Sequence, residues 1–168
     1  ALFKEGEIVQ VGPPLELYNY PSSIYVADFI GNPRINFVDA RAKLEKEGLE
    51  IESDLGSFRI DRSALIEELP EGSFDVVLGI RPERIRISTE KTGEKDIKAK
   101  IYTSMPDGSE TLNTVRACGM NLVVKELGST EYEPDQDVYI TIRESKINVF
   151  DKATQKLINH GNKNKNGR

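Results

Sequence analysis

From Phe37 onward, hydrophobic and polar positions alternate with a period of two. Val38, Ala40, Ala42 and Leu44 interleave with Asp39, Arg41, Lys43 and Glu45, placing small or apolar side chains on one face of a strand and charges on the other. Helical propensity in Lys43 to Lys46 is outweighed by that alternation. Lys46-Glu47-Gly48 then turns the chain into Leu49 to Glu52, and Asp54-Leu55-Gly56 turns it into Ser57 to Ile60. Asp61 or Ser63 is predicted to cap a helix carrying Leu65, Ile66 and Leu69, ended by Pro70 and Gly72. Phe74 to Ile80 is the most apolar strand and is expected at the centre of the sheet; Arg81-Pro82 breaks it, because proline cannot donate to a ladder.

The remainder repeats this theme. Ile85 and Ile87 alternate with Arg84 and Arg86, and Thr89 to Asp96 reads as a polar loop. Further strands are predicted around Ile97 to Ile101, Leu112 to Arg116, Leu122 to Val124, Val138 to Ile142 and Ile147 to Val149. Turns separate them at Met105-Pro106-Asp107-Gly108, at Cys118-Gly119 and near Pro134-Asp135. Roughly nine or ten short strands with little helix between them favour an antiparallel barrel or sandwich over a parallel sheet. The predicted class is mainly β, a small Greek-key barrel of the OB type, which also removes exposed edge strands.

The first thirty residues have a different texture. Glu7 to Val11 is a strand candidate closed by Gly12-Pro13-Pro14, and Leu15 to Asn19 makes one helical turn. Ser22 is the expected cap of a second helix over Ser23 to Ile30, with Gly31 as its left-handed stop.

Composition narrows the chemistry. The chain has 168 residues, 38% of them hydrophobic and 30% charged, enough for a packed domain plus a short appendage. Its formal charge of −5 has the wrong sign for a chain that neutralises phosphate backbones, so no nucleic-acid partner is expected. An oligonucleotide-binding barrel would also need aromatic platforms on a basic groove, and tryptophan is absent. No apolar run approaches the ~18 residues of a membrane-spanning helix, and the N-terminus lacks a secretory pattern. The single cysteine, Cys118, has no internal disulfide partner, which suits a reducing, cytoplasmic setting.

No catalytic, cofactor-binding or metal-binding residues are expected. His160 falls in the polar run from Asn159 to Arg168, read as a frayed tail, and Cys118 sits in a turn with no neighbouring base. One His and one Cys cannot complete a structural zinc site, and Glu131, Glu133, Asp135 and Asp137 lack the loop glycine and terminal carboxylate of a calcium loop. Neither phosphate-cradling glycine motif is present, so this chain by itself is not expected to hydrolyse a nucleotide.

Four islands, taken together, resemble the C-terminal part of the ATPase subunit of ABC importers for sugars and related solutes. Gly6-Glu7-Ile8-Val9-Gln10-Val11-Gly12-Pro13-Pro14-Leu15-Glu16-Leu17-Tyr18, running on to Val26-Ala27-Asp28-Phe29-Ile30-Gly31, is similar to the end of the family's nucleotide-binding domain. Gly31-Asn32-Pro33-Arg34-Ile35-Asn36 resembles its linker, with Ile35 where methionine is usual. Gly79-Ile80-Arg81-Pro82-Glu83 resembles a central step of the regulatory domain. Gly108-Ser109-Glu110-Thr111 with Asn148-Val149-Phe150-Asp151 and Thr154 resembles the transport-associated OB domain and its closing turn, where Gln155 replaces a glycine and Asn148 a histidine.

The resemblance implies that residues 1–31 end a nucleotide-binding domain, residues 32–152 form a regulatory OB-like barrel of TOBE/MOP type, and residues 153–168 are a polar tail. It implies no enzyme activity for this stretch, with ATP and Mg held by a domain upstream of Ala1. Implied partners are that nucleotide-binding domain, a second copy of the chain, and membrane permease subunits reached through the missing domain at the inner face of the membrane. Asn36, Phe37, Arg81, Pro82 and Glu83 are the expected dimer or regulatory contacts, although Asn36 and Phe37 read more simply as packing at the domain junction, and Phe150 as a core plug. An alternative of another class is a free-standing small-anion or effector binder, for which Arg84, Arg86 and Ser88, spaced by two, share a strand face.

Overall fold

In the computed structural model, residues 1–160 are described. The predicted alternation produces two five-stranded antiparallel sheets. The first contains β3 (Asn36–Leu44), β4 (Gly48–Ser53), β5 (Gly56–Asp61), β6 (Ser73–Ile80) and β12 (Asn148–Asp151), in the order β12-β6-β3-β4-β5. The second contains β7 (Ile85–Ser88), β8 (Ile97–Asp107), β9 (Glu110–Ala117), β10 (Met120–Leu127) and β11 (Asp137–Ile142), in the order β10-β9-β8-β11-β7. Their inward residues share one apolar core, among them Leu49, Leu78 and Ile80 from the first sheet and Ile101, Leu122 and Ile140 from the second. On β3, Val38 and Ala42 point inward while Asp39, Arg41 and Lys43 are exposed, and Arg41 meets Asp75 across the ladder at 3.0 Å.

Turn chemistry follows the sequence closely. Cys118 and Gly119 both take positive φ, 50° and 78°, and close a two-residue hairpin in which Met120 pairs with Ala117. Asp96 organises the predicted polar loop: its carboxylate accepts from the backbone N–H groups of Thr92 (2.6 Å) and Gly93 (2.7 Å) and from the Thr141 hydroxyl (2.6 Å). Led by the Thr141 bond, these donors hold its carboxyl well below the usual carboxylate range.

Ahead of the sheets lie a hairpin of β1 (Leu2–Lys4) and β2 (Glu7–Gln10) and two short helices, α1 (Pro14–Asn19) and α2 (Ile24–Phe29). β1 was not expected, since a three-residue strand is too short to show alternation. Ser23, rather than Ser22, caps α2 by accepting from Val26 N–H at 3.4 Å. The Ser22 carbonyl instead receives Leu157 N–H from the C-terminal segment.

Three further expectations are corrected. The helix expected over residues 61–69 is only a 3-10 turn at Arg62–Ala64, after which Leu65 bridges to Asn159 and Ile66 N–H donates to Ile158 O. One helical turn blocked by Pro70 gains too little to offset nucleation, and strand-like pairing with the C-terminal segment supplies the backbone partners. The turn expected at Met105 to Gly108 comes later, because β8 runs through Pro106 to Asp107. Pro106 is tolerated there because β11 pairs only with Ile97 to Lys100, leaving no strand on that side to need its missing N–H. Residues 159 and 160 are not part of a frayed tail: Leu157, Ile158 and Asn159 are buried, and His160 N–H donates to Ala64 O at 2.7 Å. Asn159 stands in for a strand, its Oδ1 accepting from Val149 N–H (2.7 Å) and its Nδ2 donating to Ile147 O (2.9 Å). Residues 161–168 of that expected tail lie outside the described residues.

Gly48 is buried at the start of β4, and a Cβ there would sit 2.2 Å from the Ile60 carbonyl oxygen. Gly48→Ala is therefore expected to lower stability by about 1–3 kcal/mol in urea melts through overpacking against rigid backbone. Gly93→Ala, which meets nothing closer than 3.8 Å, should stay within about 0.5 kcal/mol of the parent.

Candidate functional site

Pro82 restricts Arg81 to an extended backbone, φ −66° and ψ 140°, at the point where β6 ends. Its side chain turns inward beneath both helices and is only 3% exposed. Nη1 donates to Ala27 O (3.1 Å) and Ile30 O (2.6 Å), and Nη2 donates to Tyr18 O (2.9 Å). These carbonyls lie at the C-terminal ends of α2 and α1, where the last C=O groups lack helical partners and carry partial negative charge. A single guanidinium therefore caps two helices.

The neighbours of Arg81 complete the junction. Its guanidinium lies 4.0 Å from the centroid of the Tyr18 ring, a cation–π stack, and the Tyr18 hydroxyl donates to the Glu83 carboxylate. Burial first, and then the Glu83 bond, push the Tyr18 phenol up to about 12. Burial also lowers the Arg81 pKa from its ordinary value, and Nε is a donor of the fork with no partner. Gly31 makes room: it takes φ +124°, and a Cβ there would meet Arg81 Nη1 at 2.9 Å. Asn148 donates to Asn19 O at 3.2 Å, satisfying the next carbonyl of α1.

Asn36 performs a second junction. Its Nδ2 donates to Ile80 O (3.1 Å) and Val123 O (2.8 Å), and its Oδ1 accepts from Val123 N–H (2.8 Å). The amide thus pairs with β10 as a peptide group would and sews the first sheet to the edge of the second. Phe37 is half-buried, edge-on to the fully buried Phe150 at 6.3 Å. Of the five residues expected as contacts, Asn36, Arg81 and Pro82 are therefore interior, with the polar groups of the first two engaged within the chain. Glu83 is the exposed one.

Arg84 and Arg86 do share an outward face with Ser88, since Ile85 and Ile87 point into the core. Ser88 separates from them chemically, because its hydroxyl is held by Glu90 O (2.7 Å) and Glu90 N–H (3.2 Å). Beside the arginines runs an open groove of about 620 Å³, which Arg143, Thr141 and Ile142 of the β11 side and Lys125, Glu126 and Leu127 of β10 also line. Tyr18 and Arg143 could not be paired with Arg81 or Arg84 from sequence, because nothing local marks contacts across such separations. Among the described residues, no group of three or more His, Cys, Asp or Glu side chains is placed to hold a metal ion.

The TOBE domain family matches residues 78–150, a stretch that holds the end of β6, the whole second sheet and β12. Residues 78–150 are a TOBE domain. Two curated relatives are the trehalose/maltose import ATP-binding protein of Thermococcus litoralis, 31% identical over 166 residues, and the multiple sugar-binding transport ATP-binding protein of Streptococcus mutans, 31% identical over 160 residues. The match covers 94% and 91% of this chain but 43% and 41% of those proteins, falling in their C-terminal region. The chain thus spans about two fifths of the length of the curated relatives it matches. The fold of the chain also resembles that of the solved cytoplasmic molybdate-binding protein ModG, with a TM-score of 0.50 at 13% identity, covering 68% of this chain and 94% of that one. The OB-type β architecture expected from strand spacing is borne out.

Arg81→Ala would leave helix-end carbonyls uncapped beside the TOBE domain, so a stability loss of about 2–3 kcal/mol is expected, with Arg81→Lys intermediate because an ammonium cannot reproduce the planar fork. Hydrogen exchange should accelerate at the Tyr20 and Ile30 amides, which end the two helices.

Alkaline titration tests the Tyr18–Glu83 bond. The folded phenol titrates at about 12 against 10.0 unfolded, so its contribution is intact below pH 10 and is lost as the pH rises from 10 through 12. Tyr132 is raised to about 12 as well, so the comparison belongs in a Tyr132→Phe background. There, Glu83→Gln should bring the Tyr18 transition, read by phenolate absorbance, to lower pH.

Proposed function

We propose that this chain is the regulatory part of the ATP-hydrolysing subunit of an ABC importer for sugars or related solutes, and that it tethers two such subunits while their nucleotide-binding parts open and close. The observation that carries the proposal is the Arg81 junction. Residues 1–31, proposed as the end of the nucleotide-binding domain, are fixed to the barrel through both helix ends, so displacement of one is transmitted to the other. Residues 32–152 are proposed as the regulatory domain.

Exposed apolar side chains support both contacts that the proposal needs. Phe3, Ile8, Val11, Leu15 and Phe29 are exposed on the N-terminal segment, a surface suited to packing against the rest of a nucleotide-binding domain. Met105 is exposed on the outer side of β8 and suits a second copy. A lasting contact between regulatory parts makes closure of the ATPase halves effectively intramolecular. ATP and Mg belong to the nucleotide-binding domain in this proposal, as does contact with the permease subunits at the cytoplasmic face of the membrane. Among the described residues, no helix is long and apolar enough to cross a membrane.

Sedimentation equilibrium across micromolar concentrations tests the tether. A concentration-dependent dimer that Met105→Lys converts to monomer is the expected result. A monomer at every concentration that binds a small anion tightly would replace the tether with a free-standing effector module. Turnover of ATP by this chain alone would overturn the assignment to the regulatory part.

A further inference from the structure

Strand register brings like charges face to face on the outside of the second sheet. Ile142 pairs with Ile85 and Thr141 with Arg86, and Arg143 N–H donates to Arg84 O at 2.9 Å, so Arg143 stands directly across from Arg84. Arg86 follows on the same outward face. Like charges directly opposite each other destabilise a sheet. The chain carries a formal charge of −5, so acidic partners are plentiful, and surface cations elsewhere find them, as Arg59 finds Glu47 at 2.7 Å. Among the described residues, Arg84, Arg86 and Arg143 form no ion pair.

The acids around them are already engaged. Glu83 accepts from Tyr18, and Glu126 accepts from Asn113 Nδ2 at 2.9 Å. Asp96 is held by Thr92, Gly93 and Thr141, and Glu144 by Lys95 at 2.5 Å. Even Lys125 is neutralised by Glu110 at 2.8 Å. The carboxylates of Glu83 and Glu126 also line the groove, and hydrogen bonds from a neutral hydroxyl and a neutral amide do not cancel their charge, but with Arg84, Arg86 and Arg143 the cations remain in excess, and their forks suit the oxygens of a tetrahedral oxyanion. Its volume of about 620 Å³ exceeds what an inorganic ion fills, and Leu127 offers an apolar wall next to the charges.

We propose that this groove binds a soluble phosphate monoester. Arg84 and Arg143 grip the phosphoryl group from facing backbone positions just outside β7 and β11, Arg86 adds a third positive charge that favours a dianion over a carboxylate, and the ester portion lies against Leu127. The proposal does not depend on the tether, which is read by oligomeric state rather than by ligand titration.

Calorimetric titration of the chain at fixed ionic strength, with inorganic phosphate and a sugar monophosphate as probes and the unphosphorylated sugar as control, tests it. The sugar monophosphate should bind more tightly than inorganic phosphate, and the free sugar not at all. Arg84→Gln and Arg143→Gln should each weaken binding by about tenfold or more, the loss of one charge-assisted pair of hydrogen bonds. Both variants should melt at or above the parent temperature, since each removes a like-charge repulsion. Lys91→Gln, on the exposed loop, should change nothing. Unchanged affinity in the two arginine variants, or no heat at millimolar ligand, overturns the proposal. Phosphatidic acid vesicles form the second arm: binding to them without any response to the soluble monoester also overturns it, by assigning the same chemistry to a lipid headgroup.

Discussion

A buried guanidinium needs partners for its donors, and Arg81 finds them for Nη1 and Nη2, though not for Nε, by drawing in the ends of two helices. Desolvating a cation is unfavourable by several kcal/mol, so Arg81 is stable inside the protein only while Tyr18 O, Ala27 O and Ile30 O surround it. The dependence runs the other way as well. α1 and α2 have six residues each, far below the length at which a helix holds itself together in water. Their last carbonyls find partners on the barrel side, from Arg81 and from Asn148. The helical segment and the β-sheets therefore stabilise one another. Each supplies what the other lacks, and Gly31 leaves the space in which they meet.

The sheets are completed by the same means on a smaller scale. Asn36 and Asn159 each place a primary amide where a strand would place a peptide, offering one acceptor and one or more donors to exposed ladder edges. Edge strands in both sheets are thereby occupied by side chains rather than by further strands. This frees the chain from forming a single continuous ladder, and it explains how ten strands in two sheets can enclose one core.

The fold class was legible because the features that set it are local. Alternation in Val38 to Glu45, the Cys118-Gly119 hairpin and the short spacing between glycine and proline turns each report on a few neighbouring residues, and the structure follows them. The failures share the opposite property. Leu65, Ile66 and Leu69 carry helical spacing, yet the C-terminal segment captures that backbone from more than ninety positions away. Asn159 looks like the first residue of a polar tail, although its polarity is what lets it replace a strand. Arg81 carries a clear motif, but a motif between charged residues points to a surface, and only the distant carbonyls of Tyr18, Ala27 and Ile30 make an interior place for it. Asn36 was readable as packing at the junction, whereas its partner Val123 was not.

Within four residues the chain uses arginine in two opposed ways, and Pro82 separates them. Before the proline, the extended backbone carries Arg81 inward to carbonyls that satisfy it. After it, the 3-10 turn at Pro82–Arg84 and the start of β7 put Ile85 in the core and so turn Arg84 and Arg86 outward. Arg84 lies between the two environments: it lines the small cavity shared with Tyr18 and Arg81 as well as the open groove shared with Arg143. A change of charge at the groove therefore acts within one side chain of the residue that fixes both helices. Arg81 and Arg84 both favour the Tyr18 phenolate, against the rise that burial and Glu83 cause, so the two arginines act on one hydroxyl from either side of Pro82.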